Sequence, residues 1–519
     1  MTISKSDLET STFVQTTDPR TGEQRDTAIR ATRREEAADA CIRAGAAFAQ
    51  YRNSSRQQRA ALLRAMAGML EGRRAELVKV ADGETALGEA RLNGELTRTI
   101  FQLRFFADVV DEGSYLEATI DHAGDTEMGP RPELRRMLVP IGPVAVFGAS
   151  NFPFAFSVPG GDTAAALATG CPVILKAHES HPETSQACFE ALRDAAAEVS
   201  APVDVVSIVF GRDAGAEVVL HPQVKAVGFT GSLGGGRALL DLISRRPDPI
   251  PFYGELAGIN PLIVTPGAAE ARGKEIGEGL AASTLLGAGQ FCTKPGVALV
   301  PAGDAGDRLV VAAAAVFAAQ EPPVMLNGGI AESFDRGASE RSSLPGVRVR
   351  GESSNGTDRG FAVAPRLLEV DADELRSELL EECFGPLCVV IRYSGPERLT
   401  ELLEQLPQSL TATIHAEDDE SIDPLVGALH ELAGRLVFNA YPTGVAVAWA
   451  MHHGGSWPST NSLHTSVGAT SIRRFLRPVA WQGAPARLLP PELRDDFTDI
   501  PRRVDGRLLP AGRRPSTEL

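Results

Sequence analysis

Residues 143–179 read PVAVFGASNFPFAFSVPGGDTAAALATGCPVILKAHE. Two short apolar runs, Pro143 to Phe147 and Pro172 to Leu175, flank an alanine-rich segment, Gly161 to Ala168, that reads as a helix. A strand, a helix and a second strand at this spacing predict a parallel pair, because the crossover returns the chain to the same end of the sheet. Working outward, Val205 to Val209 and Ala226 to Phe229 are further apolar runs, separated by helical stretches at Thr184 to Val199 and Ala214 to His221. Runs without polar interruption predict strands covered on both faces. The texture returns between Pro261 and about Arg435, with strands expected at Pro261 to Val264, Val297 to Val300, Leu387 to Ile391 and Leu436 to Asn439. The expected fold class is therefore α/β, with two open parallel-sheet domains.

The flanking sequence has a different character. Helical periodicity dominates to about Val110, as in Ala60, Leu62, Leu63, Met66 and Leu70. From Asp111 to Arg136 the composition shifts to Gly, Glu, Asp and Pro, as expected of an excursion from the core. The segment after Gln482 is rich in Pro, Arg and Asp and reads as a tail. The longest apolar stretch, Leu309 to Ala319, suits a buried helix and falls short of the ~18 residues of a membrane span. Residues 1–12 are polar and lack the apolar region of a secretory leader. A formal net charge of −16 argues against generic nucleic-acid or anionic-membrane partners. Six cysteines without a CxxC pair argue against a disulfide framework or structural zinc, so a soluble, cytoplasmic enzyme is expected.

Common motif shortcuts fail: GxGxxG, GxxxxGK[ST], HExxH and GxSxG are all absent. His178 with His181, and His452 with His453, have no cysteine or third histidine nearby in the sequence, and no metal is expected. Gly289 to Gly296 (GQFCTKPG) places Cys292 after a helical run, among glycines that let a ligand approach. An accessible thiolate is a good nucleophile, and a packed thiol is the plain alternative. Gly254 to Pro261 (GELAGINP) sets Glu255 beside glycine, just before a strand, where burial suits a general base; a solvated loop glutamate is the alternative. Phe147 to Phe154 (FGASNFPF) places Asn151 at a strand end, as an oxyanion donor or an ordinary turn residue. Lys176 ends a buried strand, in a chain where only six of 51 basic residues are lysines, which suggests a specific demand for an ammonium. Gly228 to Arg237 (GFTGSLGGGR) follows a strand and opens a helix, an arrangement suited to phosphate and also to a plain turn. In Glu381 to Pro386 (EECFGP) a carboxylate could meet a ribose, or simply end a charged helix.

Together, and in this order, these six motifs resemble the aldehyde dehydrogenase superfamily over about residues 15–485. Within it the chain looks like the 2,5-dioxovalerate (α-ketoglutaric semialdehyde) dehydrogenase branch, which also resembles NADP-dependent fatty aldehyde dehydrogenases. The residues behind this are Glu84 to Glu95, Phe147 to Phe154, Lys176 to His178, Thr465 to Gly468, Arg474 to Gln482 and Arg503 to Gly506. The resemblance implies that Cys292 attacks the aldehyde carbonyl, that Asn151 and the Cys292 amide stabilise the oxyanion, and that Glu255 activates water to release the acid. It places Lys176, Glu179, Gly211, Arg212, Gly231, Ser232, Gly236, Glu382 and Phe384 around the cofactor, NADP or NAD. Glu179 favours NAD, Arg212 and the close branch favour NADP, and the balance leans to NADP.

It further implies an aldehyde substrate, most simply a small semialdehyde acid, and a homodimer or homotetramer. Arg91, Arg98 or Arg104 could meet a substrate carboxylate. Fatty aldehyde oxidation, CoA-dependent acylation and an inactive relative are the alternatives. Ala257 replaces a glycine common in relatives, and Phe291 narrows the substrate tunnel. The implied domains are 1–113 and 137–255 for cofactor, 256–464 for catalysis, and 114–136 with 465–485 for an oligomerisation flap, followed by a tail at 486–519.

Overall fold

The computed structural model describes residues 13–256, 258–353, 356 and 359–513. Ala257 lies outside the described residues, as do 1–12 at the start of the first expected domain and 514–519 at the end of the expected tail.

The first sheet has five parallel strands, in the spatial order Phe252–Glu255, Ala226–Thr230, Val144–Phe147, Val173–Lys176 and Val206–Val209. Its apolar runs are buried because helices cover both faces. One face joins a large core with the helices Arg56–Gly72, Glu89–Glu112, Gly161–Thr169 and Pro182–Glu198. The other face packs under Arg34–Tyr51, Arg212–Leu220 and Leu233–Ser244. The chain starts at Val144–Phe147, builds outward on one side, then crosses back to Ala226–Thr230 on the other. That reversal leaves a crevice at the carboxyl ends of Val144–Phe147 and Ala226–Thr230, the usual ligand position in an open α/β sheet.

The second sheet has seven strands, ordered Arg348–Glu352, Arg366–Asp371, Leu387–Tyr393, Val297–Pro301, Leu262–Val264, Ser409–His415 and Ala433–Phe438. All neighbours are parallel except the first pair, so the sheet ends in an antiparallel edge strand. The helix Asp304–Ala319 covers one face where the long apolar run predicted a buried helix.

A third sheet, of five strands, adds Ile120, Met137, Leu138, Leu476 and Val504 to the large core of the first. Leu134–Pro140 pairs antiparallel with Leu476–Gln482 on one side and with Thr119–Asp121 on the other. The sheet then continues through Arg502–Val504 to Arg507–Leu509. The segment read as a tail at 486–519 thus supplies two strands and buries Leu493, Ile500 and Val504. Polar composition hid this, because only alternate residues of Arg502–Val504 face the core.

Candidate active site

Glu255 is the last residue of the outermost strand of the first sheet, and its side chain is buried. Gly231 N–H donates to the Glu255 carbonyl at 3.0 Å and Leu256 N–H to the Ser459 carbonyl at 2.8 Å, which fixes the backbone on both sides. Cys292 sits in the loop between the helix Pro266–Leu285 and the strand Val297–Pro301, half-buried. Asn260 holds that loop from below. Its Nδ2 donates to the Cys292 carbonyl at 2.7 Å and the Lys294 carbonyl at 3.1 Å, and its Oδ1 accepts from Thr411 N–H at 3.2 Å. Its φ of +47° is a left-handed conformation that asparagine tolerates better than most residues. Gly289 has φ +66°, and a Cβ there would lie 2.3 Å from the carbonyl carbon of Gly385. Glycine alone therefore lets the cysteine loop lie against the Glu381 to Pro386 turn. Lys294 Nζ ties the same turn by donating to the carbonyls of Cys383 at 3.1 Å and Leu387 at 2.8 Å.

Cys292 and Glu255 come together with a third residue. His453 is fully buried, with Nε2 at 3.0 Å from Glu255 Oε1 and 3.6 Å from Cys292 Sγ. Sequence reading had set His453 aside for lack of a nearby cysteine. The proximity joins positions 161 and 198 residues apart, which no local pattern reports. Ser466 Oγ donates to Glu255 Oε2 from the segment that follows the second sheet. Burial pushes the Glu255 carboxyl up, but His453 and the hydrogen bonds from His453, Ser466 and Cys292 outweigh it and hold the group at about 2. Burial first, then the Glu255 charge, raises the Cys292 thiol well above its usual range. The resting pair is thus a neutral thiol near an ionised carboxylate. His453 Nδ1 has no partner, so the ring is used through Nε2.

Asn151 is buried beside the cysteine loop, where its Nδ2 donates to the Gln290 carbonyl at 2.9 Å. Phe291 packs edge-on against Phe152 at 5.1 Å between centroids, and the Arg91 guanidinium stacks on both rings at 5.1 and 4.9 Å. Arg91 Nη2 donates to the Asn151 carbonyl at 2.7 Å. About two turns further along the same helix, Arg98 lies over Phe156 at 5.1 Å and close enough to feel the Glu255 charge. Arg91 Nη1 and Arg98 Nη2 are both buried without a partner. Arg104 is exposed and does not join this group.

The cofactor candidates cluster at the crevice of the first sheet. Lys176 ends its strand, buried, and its ammonium pairs with Glu179. Burial lowers the Lys176 ammonium, and the nearby Arg212 charge adds to that, while Glu179 opposes both. Gly211 and Arg212 open the helix Arg212–Leu220, with Arg212 exposed. Gly231 and Ser232 lie exposed at the start of the helix Leu233–Ser244, whose cap is Ser232 Oγ accepting from Gly235 N–H at 3.1 Å. Gly236, in the first turn, is buried where a Cβ would meet Leu256 Cδ2 at 2.4 Å. A twelve-residue helix N-terminus at a switch point, next to an ammonium, fits a dinucleotide pyrophosphate and ribose. Glu382 and the half-buried Phe384 lie in the turn tied by Lys294. Burial raises the Glu382 carboxyl to about 7, against the opposing pull of Lys294 and a Gly258 N–H.

The geometry thus gathers Cys292, His453 and Glu255 within 4.8 Å of one another, beside two open α/β sheets. The aldehyde dehydrogenase family model matches residues 6–479, and the chain belongs to that family. It is an NAD(P)-dependent oxidoreductase that oxidises aldehydes. Alpha-ketoglutaric semialdehyde dehydrogenase 2 of Azospirillum brasilense is 45% identical over 477 residues, covering 90% of this chain and 91% of that one. Alpha-ketoglutaric semialdehyde dehydrogenase of Acinetobacter baylyi is 41% identical over 468 residues, covering 89% of each. Among solved structures, a proline utilization A variant from Bradyrhizobium japonicum aligns with a TM-score of 0.75 at 23% identity, covering 88% of this chain. This chain spans 45% of that longer protein. No helix among the described residues is long and apolar enough to cross a membrane.

Proposed function

We propose that this protein oxidises a short semialdehyde acid, α-ketoglutaric semialdehyde foremost, to the dicarboxylate. The observation that carries the reading is a half-buried Cys292 thiol within 4.8 Å of an ionised, buried Glu255, with His453 Nε2 between them. Glu255 takes the proton from Sγ as sulfur attacks the carbonyl carbon, and the carbonyl π electrons move to oxygen. The oxyanion is met by Asn151 Nδ2, turned from the Gln290 carbonyl, and by the Cys292 backbone amide. A nicotinamide cofactor held near Lys176, Ser232 and Glu382 would supply the hydride acceptor for that carbon, leaving a thioester on Cys292. Glu255, once it has lost its proton to solvent, takes one from water. The resulting hydroxide attacks the acyl carbon, the C–S bond breaks, and the acid departs as the thiol regains its proton. A carboxylate base within 4.8 Å of the nucleophile speaks for hydrolysis rather than transfer to CoA.

The substrate carboxylate would meet Arg98 and Arg91, each of which has one buried guanidinium nitrogen without a partner. Such a site holds a carboxylate far better than an alkyl end, because an alkyl end leaves those donors unsatisfied. Steady-state kinetics should show kcat/KM for α-ketoglutaric semialdehyde at least tenfold above that for an alkanal of equal length. Arg98→Met should narrow that ratio, and equal values in the parent enzyme would reject the acid preference. For the cofactor, Lys176 occupies the Glu179 carboxylate, while the exposed Arg212 offers a partner to a 2′-phosphate, and both support NADP. Arg212→Ala should then raise KM for NADP about tenfold and leave KM for NAD unchanged. A homodimer or homotetramer would cover the free edges of Leu476–Gln482 and Ala433–Phe438, outermost strands of their sheets. Six free cysteines fit the reducing cytoplasm.

A further inference from the structure

His453 gives the pocket a second chemical identity. Cys292 Sγ, His453 Nε2 and a Glu255 oxygen all lie within 4.8 Å of one another. Tetrahedral zinc with Zn–S of ~2.3 Å and Zn–N and Zn–O of ~2.0–2.1 Å would hold its sulfur and nitrogen ligands ~3.6 Å apart and its nitrogen and oxygen ligands ~3.4 Å apart. The observed separations are 3.6 Å for sulfur to nitrogen and 3.0 Å for nitrogen to oxygen. Opening the imidazole–carboxylate contact by about 0.4 Å, and drawing the Glu255 oxygen from within 4.8 Å of Sγ to the ~3.6 Å that zinc needs, would complete three corners of a zinc tetrahedron. The fourth corner is left for water.

We propose that Cys292, His453 and Glu255 form a capture site for zinc, and that occupancy reversibly silences the enzyme. Capture balances simply. The thiol releases its proton to solvent, the imidazole proton moves from Nε2 to Nδ1, and Glu255 binds as the carboxylate it already is. A dication with one thiolate and one carboxylate sums to zero charge, which suits a buried position. His453 Nδ1 meets no acceptor, so the ligand lacks the outer-shell partner that zinc-bound histidines normally have. That deficit lowers affinity about 10–100-fold relative to a supported site, and makes the metal removable by a chelator. Silencing rests on the catalytic roles proposed above, because the ligands are the nucleophile and the base. Binding itself rests only on geometry.

The test follows alkylation of the wild-type enzyme by iodoacetamide, mapped by peptide mass spectrometry, with and without zinc. Zinc should slow labelling at Cys292 by at least about tenfold, a chelator should restore it, and the other five cysteines should not respond. An unchanged rate at Cys292 would overturn the proposal. His453→Gln should weaken zinc protection by at least about tenfold, and protection at the parental zinc concentration would place the metal elsewhere and overturn it. Should that variant misfold, cobalt added to the wild type must give a thiolate-to-cobalt charge-transfer band, and its absence would be decisive against the site. Zinc protection without aldehyde oxidation would remove the catalytic reading and leave the metal site standing.

Discussion

At the residue scale, chemistry depends on carboxylates held in opposite states by their surroundings. Glu255 is kept ionised by the hydrogen bonds of His453, Ser466 and Cys292, whereas Glu382, facing mainly desolvation, is raised to about 7. If Glu382 accepts a ribose hydroxyl, its anion is the binding form. Cofactor affinity should therefore rise as pH increases through about 7. Nicotinamide fluorescence titrations across that range would show it, and Glu382→Gln should flatten the curve. A pH-independent Kd in the parent enzyme would contradict the assignment. Glu255 is shifted the opposite way, and its consequence is for stability. Its folded-state carboxyl lies below the ordinary value of 4.5, so its contribution is complete above that pH and is lost as pH falls toward about 2. Acid unfolding followed by circular dichroism should accordingly be less steep for Glu255→Gln. Cys292, Glu255, Lys176 and Glu382 were legible in the sequence because each stands in a short run of unusual residues at the end of an element. His453 and Ser466 were not, since their importance arises only when 466 folds back across 255.

At the element scale, legibility followed hydrophobicity. Val173–Lys176 and Leu387–Tyr393 are buried throughout and read as continuous apolar runs, so their positions were plain. Ser409–His415 is equally buried but carries serine and three threonine or histidine side chains, whose hydrogen-bonding groups masked it. Arg348–Glu352 is an exposed edge strand with charges on both ends, and its pairing partner rather than its composition makes it a strand. The cysteine loop is the element on which function leans most. Gly289→Ala would combine a left-handed φ with a 2.3 Å clash against Gly385 and should push Cys292 away from Glu255. We expect a loss of about 2–4 kcal/mol in stability and at least tenfold in kcat, measured by thermal unfolding and steady-state kinetics. A variant with parental kcat would show that the loop tolerates displacement.

At the scale of the whole molecule, the sheets divide the labour. One sheet ends at the crevice proposed for the cofactor, the second carries the Cys292 loop on its strand Val297–Pro301, and the third joins the core of the first. The third sheet is also structural, because Arg474 from the segment leading into it makes a buried ion pair with Asp162 in the first domain. Truncation after residue 485 should remove two strands and uncover the core around Leu493, Ile500 and Val504. Lower soluble yield and a drop in Tm are expected, and an unchanged Tm would return 486–519 to the status of a tail. The central claim concerns covalent chemistry shared across the domain boundary, with Cys292 from one sheet and Glu255 from the other. It is tested most directly by mixing Glu255→Gln with α-ketoglutaric semialdehyde and cofactor, quenching in acid, and mapping the protein by mass spectrometry. Because Glu255 assists the thiol as well as water, the account predicts slowed formation of at most one reduced cofactor per protomer, with an acyl group on the peptide containing Cys292. Sustained turnover at the parental rate, or reduced cofactor without an adduct at Cys292, would contradict it.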